Sequence, residues 1–187
     1  MGKTLSEMSL EELWQLFPII LTTHQDCWDK WYLEEKTILK KALPQIERIS
    51  HIGSTAISSI WAKPIIDILV EIPKNSNLLD YKNLIMNNGY ICMSQNKNRL
   101  SFNKGYTANG FAEQIFHLHL RFASDNEELY FRDYLIEFPN VAKEYETLKL
   151  SLWKEHKYNR DFYTNAKTEF VTKYTEQAKK LYGNRYR

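Results

Sequence analysis

The chain has 187 residues, 43% of them hydrophobic and 14% aromatic, with 25 Lys and Arg against 23 Asp and Glu for a formal charge of +2. That composition excludes disorder, and the near-balance of charge excludes a global pull toward nucleic acid while allowing a local basic patch. The N-terminal apolar stretch 16–21 is too short to span a bilayer and no signal-peptide pattern appears, so a cytoplasmic protein of one domain, 1–187, is expected.

Taken in order, Ser9-Leu-Glu-Glu12 reads as a capping box that opens a short helix toward Phe17, where Pro18 breaks it. Trp28, Trp31, Tyr32, Glu35, Ile38, Leu39 and Ala42 recur at helical spacing and predict an amphipathic helix ending before Pro44. Cys27 and Cys92 lie far apart outside any ligand-spacing motif, so both are expected reduced and buried. Residues 46–52 read as a strand running into a Gly53-Ser54 turn, after which 55–60 can start a helix.

Residues 64–72 alternate: Ile66, Ile68, Val70 and Ile72 point one way, and Ile65, Asp67, Leu69 and Glu71 the other. Residues 78–88 suit a helix with Gly89 just past its end. Residues 90–94 and 99–103 suit a hairpin. Residues 113–122 alternate again, with Ile115, His117, His119 and Arg121 opposite Phe116, Leu118, Leu120 and Phe122. Three helices follow: 127–138, stopped by Pro139; one marked by Val141, Tyr145, Leu148 and Leu152; and one running from Phe162 to Leu181. The layout is N-terminal helices (1–45), a small mixed sheet (46–123) and C-terminal helices (124–187), an α+β or α/β arrangement.

Chemistry concentrates between His51 and Ile68. Gly53 frees the backbone so that following N–H groups can converge on an anion, and the Ser54 and Thr55 hydroxyls add donors. A helix start there would strengthen the site; the plain alternative is an ordinary strand-to-helix turn. Asp67 interrupts a run of β-formers, where an ionised carboxylate must be paired, hydrated in a cleft or bound to metal. The pairing alternative is an ion pair with Lys63 or with an arginine of a neighbouring strand. Glu71 shares the face of Asp67 but lies about 13 Å along it, too far to share one ion. His117 and His119 sit about 7 Å apart on one strand face, able to touch one metal or one phosphate, or simply to hydrogen-bond within the sheet. Arg99, Lys104, Arg121, Arg132, Lys149 and Lys167 are individually ordinary surface charges. Lys149 and Lys167 nevertheless fall among the apolar positions of their helices, which brings one face of each toward the sheet.

The run HIGSTAISSIWAKPIIDI resembles the signature of the GrpB family, a bacterial branch of the nucleotidyltransferase-fold superfamily. Leu16-Phe-Pro-Ile19, Trp28, Tyr32, Phe116-His-Leu-His119, Arg132-Asp-Tyr-Leu135, Tyr145 with Lys149, and Tyr163 with Lys167 extend the likeness over nearly the whole chain. The resemblance implies a small mixed sheet flanked by helices, a Gly-Ser turn that binds a nucleotide or phosphorylated small molecule, and carboxylates on Mg²⁺ or Mn²⁺. Gly53, Ser54, Thr55, Lys63 and Arg121 would bind phosphate. Asp67, His117 and His119 would hold the metal, with Asp67 the catalytic group. Ile52-Gly53-Ser54 and Asp67 match the superfamily pattern, but Leu69 stands where the second carboxylate belongs, and the strand expected to bring the third carries His117 and His119 instead. Three readings stay open: metal-dependent nucleotidyl transfer to a small-molecule hydroxyl, a non-catalytic nucleotide-binding or accessory module, and a metal-dependent hydrolase. A membrane or a nucleic acid is not the expected partner.

Overall fold

The structure is a computed structural model and describes residues 3–186. Its centre is a five-stranded mixed sheet in the order β1-β2-β5-β4-β3, made of β1 (Arg48–Ile52), β2 (Ile66–Ile72), β3 (Ile91–Gln95), β4 (Arg99–Thr107) and β5 (Gly110–Phe122). Only the β2–β5 pairing is parallel. The helices are α1 (Leu10–Leu16), α2 (Cys27–Ala42), α3 (Leu78–Asn87), α4 (Glu127–Glu137), α5 (Pro139–His156), α6 (Arg160–Asn165) and α7 (Thr168–Tyr182). The α+β layout expected from the sequence is the observed one. Among the described residues no helix is long and apolar enough to cross a membrane.

Local signals place most of these elements. At the start of α1, Ser9 Oγ accepts from the Glu12 amide at 3.2 Å while the Glu12 carboxylate accepts from the Ser9 amide at 2.8 Å. On α2, Trp28, Tyr32, Glu35 and Leu39 form the buried stripe, whereas Ile38 faces out. The buried Glu35 is matched by Lys104 Nζ at 2.8 and 2.9 Å and by the Tyr90 hydroxyl at 3.0 Å, so its charge is not stranded. Cys27 and Cys92 are free thiols packed on the edge of this core, half-buried rather than fully buried as expected.

The two faces of the sheet differ because the alternation along β2 and β5 is strict. Ile66, Ile68, Val70 and Ile72 join Leu118 and Leu120 and, from β4, Leu100 and Phe102, under α2 and α3. The opposite face carries Asp67, His117, His119 and Arg121 and looks toward the C-terminal helices. A bulge adds one more group to that polar face. Gly105 sits at φ +91°, and a side chain there would lie 3.0 Å from Ile115 Cα. The register of β4 against β5 slips between Lys104 and Tyr106. From Lys104 opposite Phe116 the pairing jumps to Tyr106 opposite Phe111, and past this irregularity Tyr106 reaches the His117 side of the sheet.

Two expectations fail. After Gly53 the chain makes only a single 3-10 turn, Ser54–Ala56, and then extends at Ile57. The helix envisaged over 55–60 is absent because Thr55 is drawn into the strands by its side chain, and no helix dipole acts at this turn. The third C-terminal helix is two, α6 and α7, broken around Ala166 and Lys167. Pro139, expected to stop a helix, also starts the next one, since a proline at the first position of α5 gives up an amide that would have no partner there.

Candidate functional site

β2 and β5 lie side by side in register, Asp67 opposite His117 and Leu69 opposite His119, so the aspartate and both histidines share one patch of the polar face. His117 Nδ1 is 3.2 Å from Asp67 Oδ1, and His119 Nε2 faces the same oxygen at 3.7 Å. The far side of each imidazole fixes its proton. Arg160 Nη2 donates to the Tyr106 hydroxyl at 2.6 Å, which leaves the tyrosine proton for His117 Nε2 at 2.8 Å. His117 therefore carries its own proton on Nδ1, toward Asp67. Arg121 Nη2 approaches His119 Nδ1 at 3.4 Å as a donor, so His119 bears its proton on Nε2, again toward Asp67.

The electrostatics agree. Burial raises the cost of ionising Asp67, but the N–H groups of His117 and His119 outweigh it and hold the carboxyl well below the usual carboxylate range. Burial pushes the His117 pKa down against the pull of Asp67, with Lys63 and Arg160 adding to the effect, so the ring stays neutral. The trio expected as a metal set thus meets at one point, but not in an arrangement that holds an ion.

Nor do other carboxylates complete a set. Among the described residues no group of three or more His, Cys, Asp or Glu side chains is placed to hold a metal. Leu69 is 0% exposed and packs with Ile52 and Leu129, filling space that a second carboxylate would have to occupy. Glu71 is also buried, accepting from the Ser124 amide at 3.1 Å and Asn126 Nδ2 at 2.7 Å with Arg48 Nε at 3.4 Å.

The Gly53 turn lies directly against Asp67. With φ +71°, a side chain on Gly53 would sit 3.0 Å from Asp67 Cγ and closer still to Oδ2. Two bonds anchor the turn from below. Thr55 Oγ1 donates to Ile65 O at 3.0 Å and accepts from His51 Nε2 at 3.0 Å. His51 stacks on Tyr32, and burial takes its pKa down to about 4, so it works as a neutral strut. Thr55, expected to bind phosphate, has therefore committed its hydroxyl to the fold. The amides of Ser54 and Thr55 meet no acceptor among the described residues and remain open to an anion.

Around this turn gather four cations. Lys63 precedes β2, Lys149 comes from α5, Arg160 opens α6, and Lys167 caps α7. They line a cavity of about 450 Å³ together with Ser54 and Asp67. Lys149 is 2% exposed; its Nζ donates to Ser54 Oγ at 3.0 Å and to Trp61 O. Lys63 and Lys167 lie over the ring of Tyr163 at 5.4 and 4.3 Å, and Arg160 over that of Tyr106 at 5.4 Å. None of the four has a carboxylate within ion-pairing distance among the described residues.

Burial, followed by repulsion from neighbouring cations, lowers Lys63 to about 7 and Lys149 to about 7; burial with the nearby Arg160, against the pull of Asp67, lowers Lys167 to about 8. The sign of the consequence is fixed. Each folded pKa lies below its unfolded value, so the unfolded chain binds more protons between about pH 7 and pH 10, and stability rises with pH across that window. Above about pH 10, tyrosines ionise in the unfolded chain and reverse the slope. The thermal midpoint of ligand-free protein is accordingly higher at pH 9 than at pH 7, and calorimetric scans showing a fall would contradict the cluster.

A second cavity of about 490 Å³ shares Gly53, Ser54, Asp67 and Tyr145 with the first, so the two lobes meet at the aspartate. It is walled by Phe131, Arg132, Glu128 and Thr175 and includes Arg121 and His119. Arg121, expected beside phosphate, belongs to this lobe. Its guanidinium is turned to Leu100 O and Leu120 O at 3.3 Å, with Glu128 at 3.8 Å. Of the expected residues, then, Gly53, Ser54, Thr55, Lys63, Asp67 and His117 border the cationic lobe, while His119 and Arg121 stand in the other. Arg160 and Tyr106 carried no signal along the chain. Lys149 and Lys167 did, as charges inside apolar stripes.

A family model described as GrpB protein matches residues 18–177. The glutamate-rich protein GrpB of Alkalihalophilus pseudofirmus is 36% identical over 160 residues, 82% of this chain and 91% of that protein. The UPF0157 protein YqkA of Bacillus subtilis is 32% identical over 180 residues, 91% of this chain but 51% of that protein, so the chain spans about half the length of that relative. The crystal structure of the conserved protein GrpB from Enterococcus faecalis matches with a TM-score of 0.76 at 30% identity, covering 87% of this chain and 99% of that one.

Proposed function

The chain belongs to the GrpB family, and on that footing we propose that it binds a nucleotide or phosphorylated small molecule. The phosphates lie in the cationic lobe and the remainder of the ligand in the adjoining one. One observation carries the reading: Lys63, Lys149, Arg160 and Lys167 converge on the open amides of Ser54 and Thr55 without a carboxylate partner. Such a cluster is held together at a cost in repulsion and desolvation, and an anion of several charges offsets both. Lys149 and Ser54, already joined, present one ammonium and one hydroxyl to the same phosphate. In the second lobe the half-buried Phe131 offers an apolar wall to a base or other flat group, while Tyr145 is packed against Phe170.

The fully buried Leu69 favours a binding module over nucleotidyl transfer. With an apolar side chain at the second carboxylate position and no grouping of three ligands placed on an ion among the described residues, the polar face lacks what activates an attacking hydroxyl in two-metal transfer. A hydrolase built on Asp67, His117 and His119 meets the same objection. A thermal-shift panel tests the binding claim, because a ligand that binds only the folded state raises the midpoint by mass action. Mono-, di- and triphosphates of the four ribonucleosides raise the midpoint progressively with phosphate number, and the nucleosides alone do not. A midpoint unmoved by the whole panel sinks the reading.

A further inference from the structure

The balance of charge at this site points past the class of ligand to its form. Enzymes that bring a nucleoside triphosphate to a carboxylate centre neutralise its phosphates with divalent ions, which those carboxylates hold. Here the carboxylates are missing or spoken for. Leu69 fills the second position as part of an apolar cluster, Glu71 is buried among its own donors, and Asp67 turns one oxygen, Oδ1, to the His117 and His119 rings at 3.2 and 3.7 Å. Across the cavity stand four side-chain cations.

We propose that the polyphosphate binds free of any divalent ion, with Lys63, Lys149, Arg160 and Lys167 taking the metal's place. The inference rests on the phosphate-binding reading above and would fall with it. A metal-free di- or triphosphate carries roughly the charge these four cations match. An ion travelling with the phosphates would stand beside these ammonium and guanidinium groups and be repelled by them. Asp67 is the one carboxylate in this lining, and no group of three or more His, Cys, Asp or Glu side chains among the described residues is placed to hold that ion in return. The Lys63 and Lys167 ammoniums rest on the Tyr163 ring rather than on hydrogen-bonded carboxylates, so they can turn toward phosphate without breaking an ion pair. Apart from Asp67, the lining offers ammonium, guanidinium, amide N–H and hydroxyl groups, which suit phosphate oxygens.

Isothermal titration of the full chain with inorganic tripolyphosphate, and with the nucleoside triphosphates of the panel, decides the matter in two buffers, one with EDTA and one with 5 mM Mg²⁺. The expected result is an affinity in EDTA equal to or higher than in Mg²⁺, and at least a tenfold loss in EDTA for Lys167→Met, whose ammonium has no hydrogen-bond partner to strand. An affinity lower in EDTA than in Mg²⁺, or unchanged affinity in Lys167→Met, overturns the proposal while leaving phosphate binding intact. Binding in neither buffer overturns both. Lys63→Met, compared by circular dichroism and titration, repeats the test at an independent cation should Lys167→Met fail to fold.

Discussion

Replacing Gly53 by alanine destabilises the protein by about 2–4 kcal/mol, the sum of a left-handed backbone and a steric clash. At φ +71° an L-residue carries strain that glycine does not, and the added methyl would meet Asp67 Cγ and Cβ at 3.0 and 3.1 Å with the carboxylate oxygen nearer still. Asp67 has little room to step back, because His117 Nδ1 lies 3.2 Å from its other oxygen and β2 is paired on both sides. Something in the turn must move, and the open amides of Ser54 and Thr55 move with it. Urea unfolding followed by tryptophan fluorescence reads the loss. Adding Asp67→Ala to Gly53→Ala restores part of it, since the contacts with the carboxyl group go while the backbone strain and the contact with the residue-67 Cβ remain; the double-mutant cycle measures the carboxyl part. A Gly53→Ala protein within about 0.5 kcal/mol of the native one would mean the turn does not press on Asp67 as described.

Lys149→Met lowers affinity for a nucleoside triphosphate about 100-fold, equivalent to about 2.8 kcal/mol. Methionine keeps the length and apolar stem of lysine, so the helix stripe on α5 still packs. What disappears is the ammonium joining Ser54 to Trp61 O at the centre of the lobe. Removing a charge that donates hydrogen bonds inside a buried site is costlier than removing an exposed one, because little water replaces it. Stability changes less than affinity: Trp61 O loses a donor, but the neighbouring cations lose a repelling charge. The pH slope of stability between about pH 7 and pH 10 flattens as well, since one of its sources is gone. A loss of affinity smaller than about threefold would take Lys149 out of the phosphate site.

Much of this was legible along the chain, and the parts that were not share a cause. The alternation over 64–72 and 113–122 is a local, period-two signal, and it placed Asp67, His117 and His119 on one face correctly. The capping box at Ser9 and the Gly89 stop after α3 are equally local. The turn after Gly53 misled because Ser-Thr-Ala is as compatible with a helix start as with a single 3-10 turn. The tie is broken by Thr55 bonding to Ile65, ten residues away. Tyr106 reaches His117 only through the bulge at Gly105, which alternation read residue by residue places on the wrong face. Arg160 belongs to the site because α6 and α7 break near Lys167, a break that the hydrophobic period running from Phe162 to Leu181 conceals. Leu69 showed from sequence that a carboxylate was missing, but its packing with Ile52 and Leu129 appears only in three dimensions. The side chains that hold the histidine rings from their far side, Tyr106, Arg160 and Arg121, come from distant elements that local periodicity does not bring together.

The central claim is that phosphate groups sit among Lys63, Lys149, Arg160 and Lys167, and phosphorus NMR reads it directly. The triphosphate that raises the thermal midpoint most is titrated with native protein and with Lys149→Met in EDTA. Native protein shifts and broadens the phosphorus resonances saturably, and the variant at the same concentration leaves them close to their free positions. Resonances unmoved by native protein, or moved equally by the variant, would contradict the site.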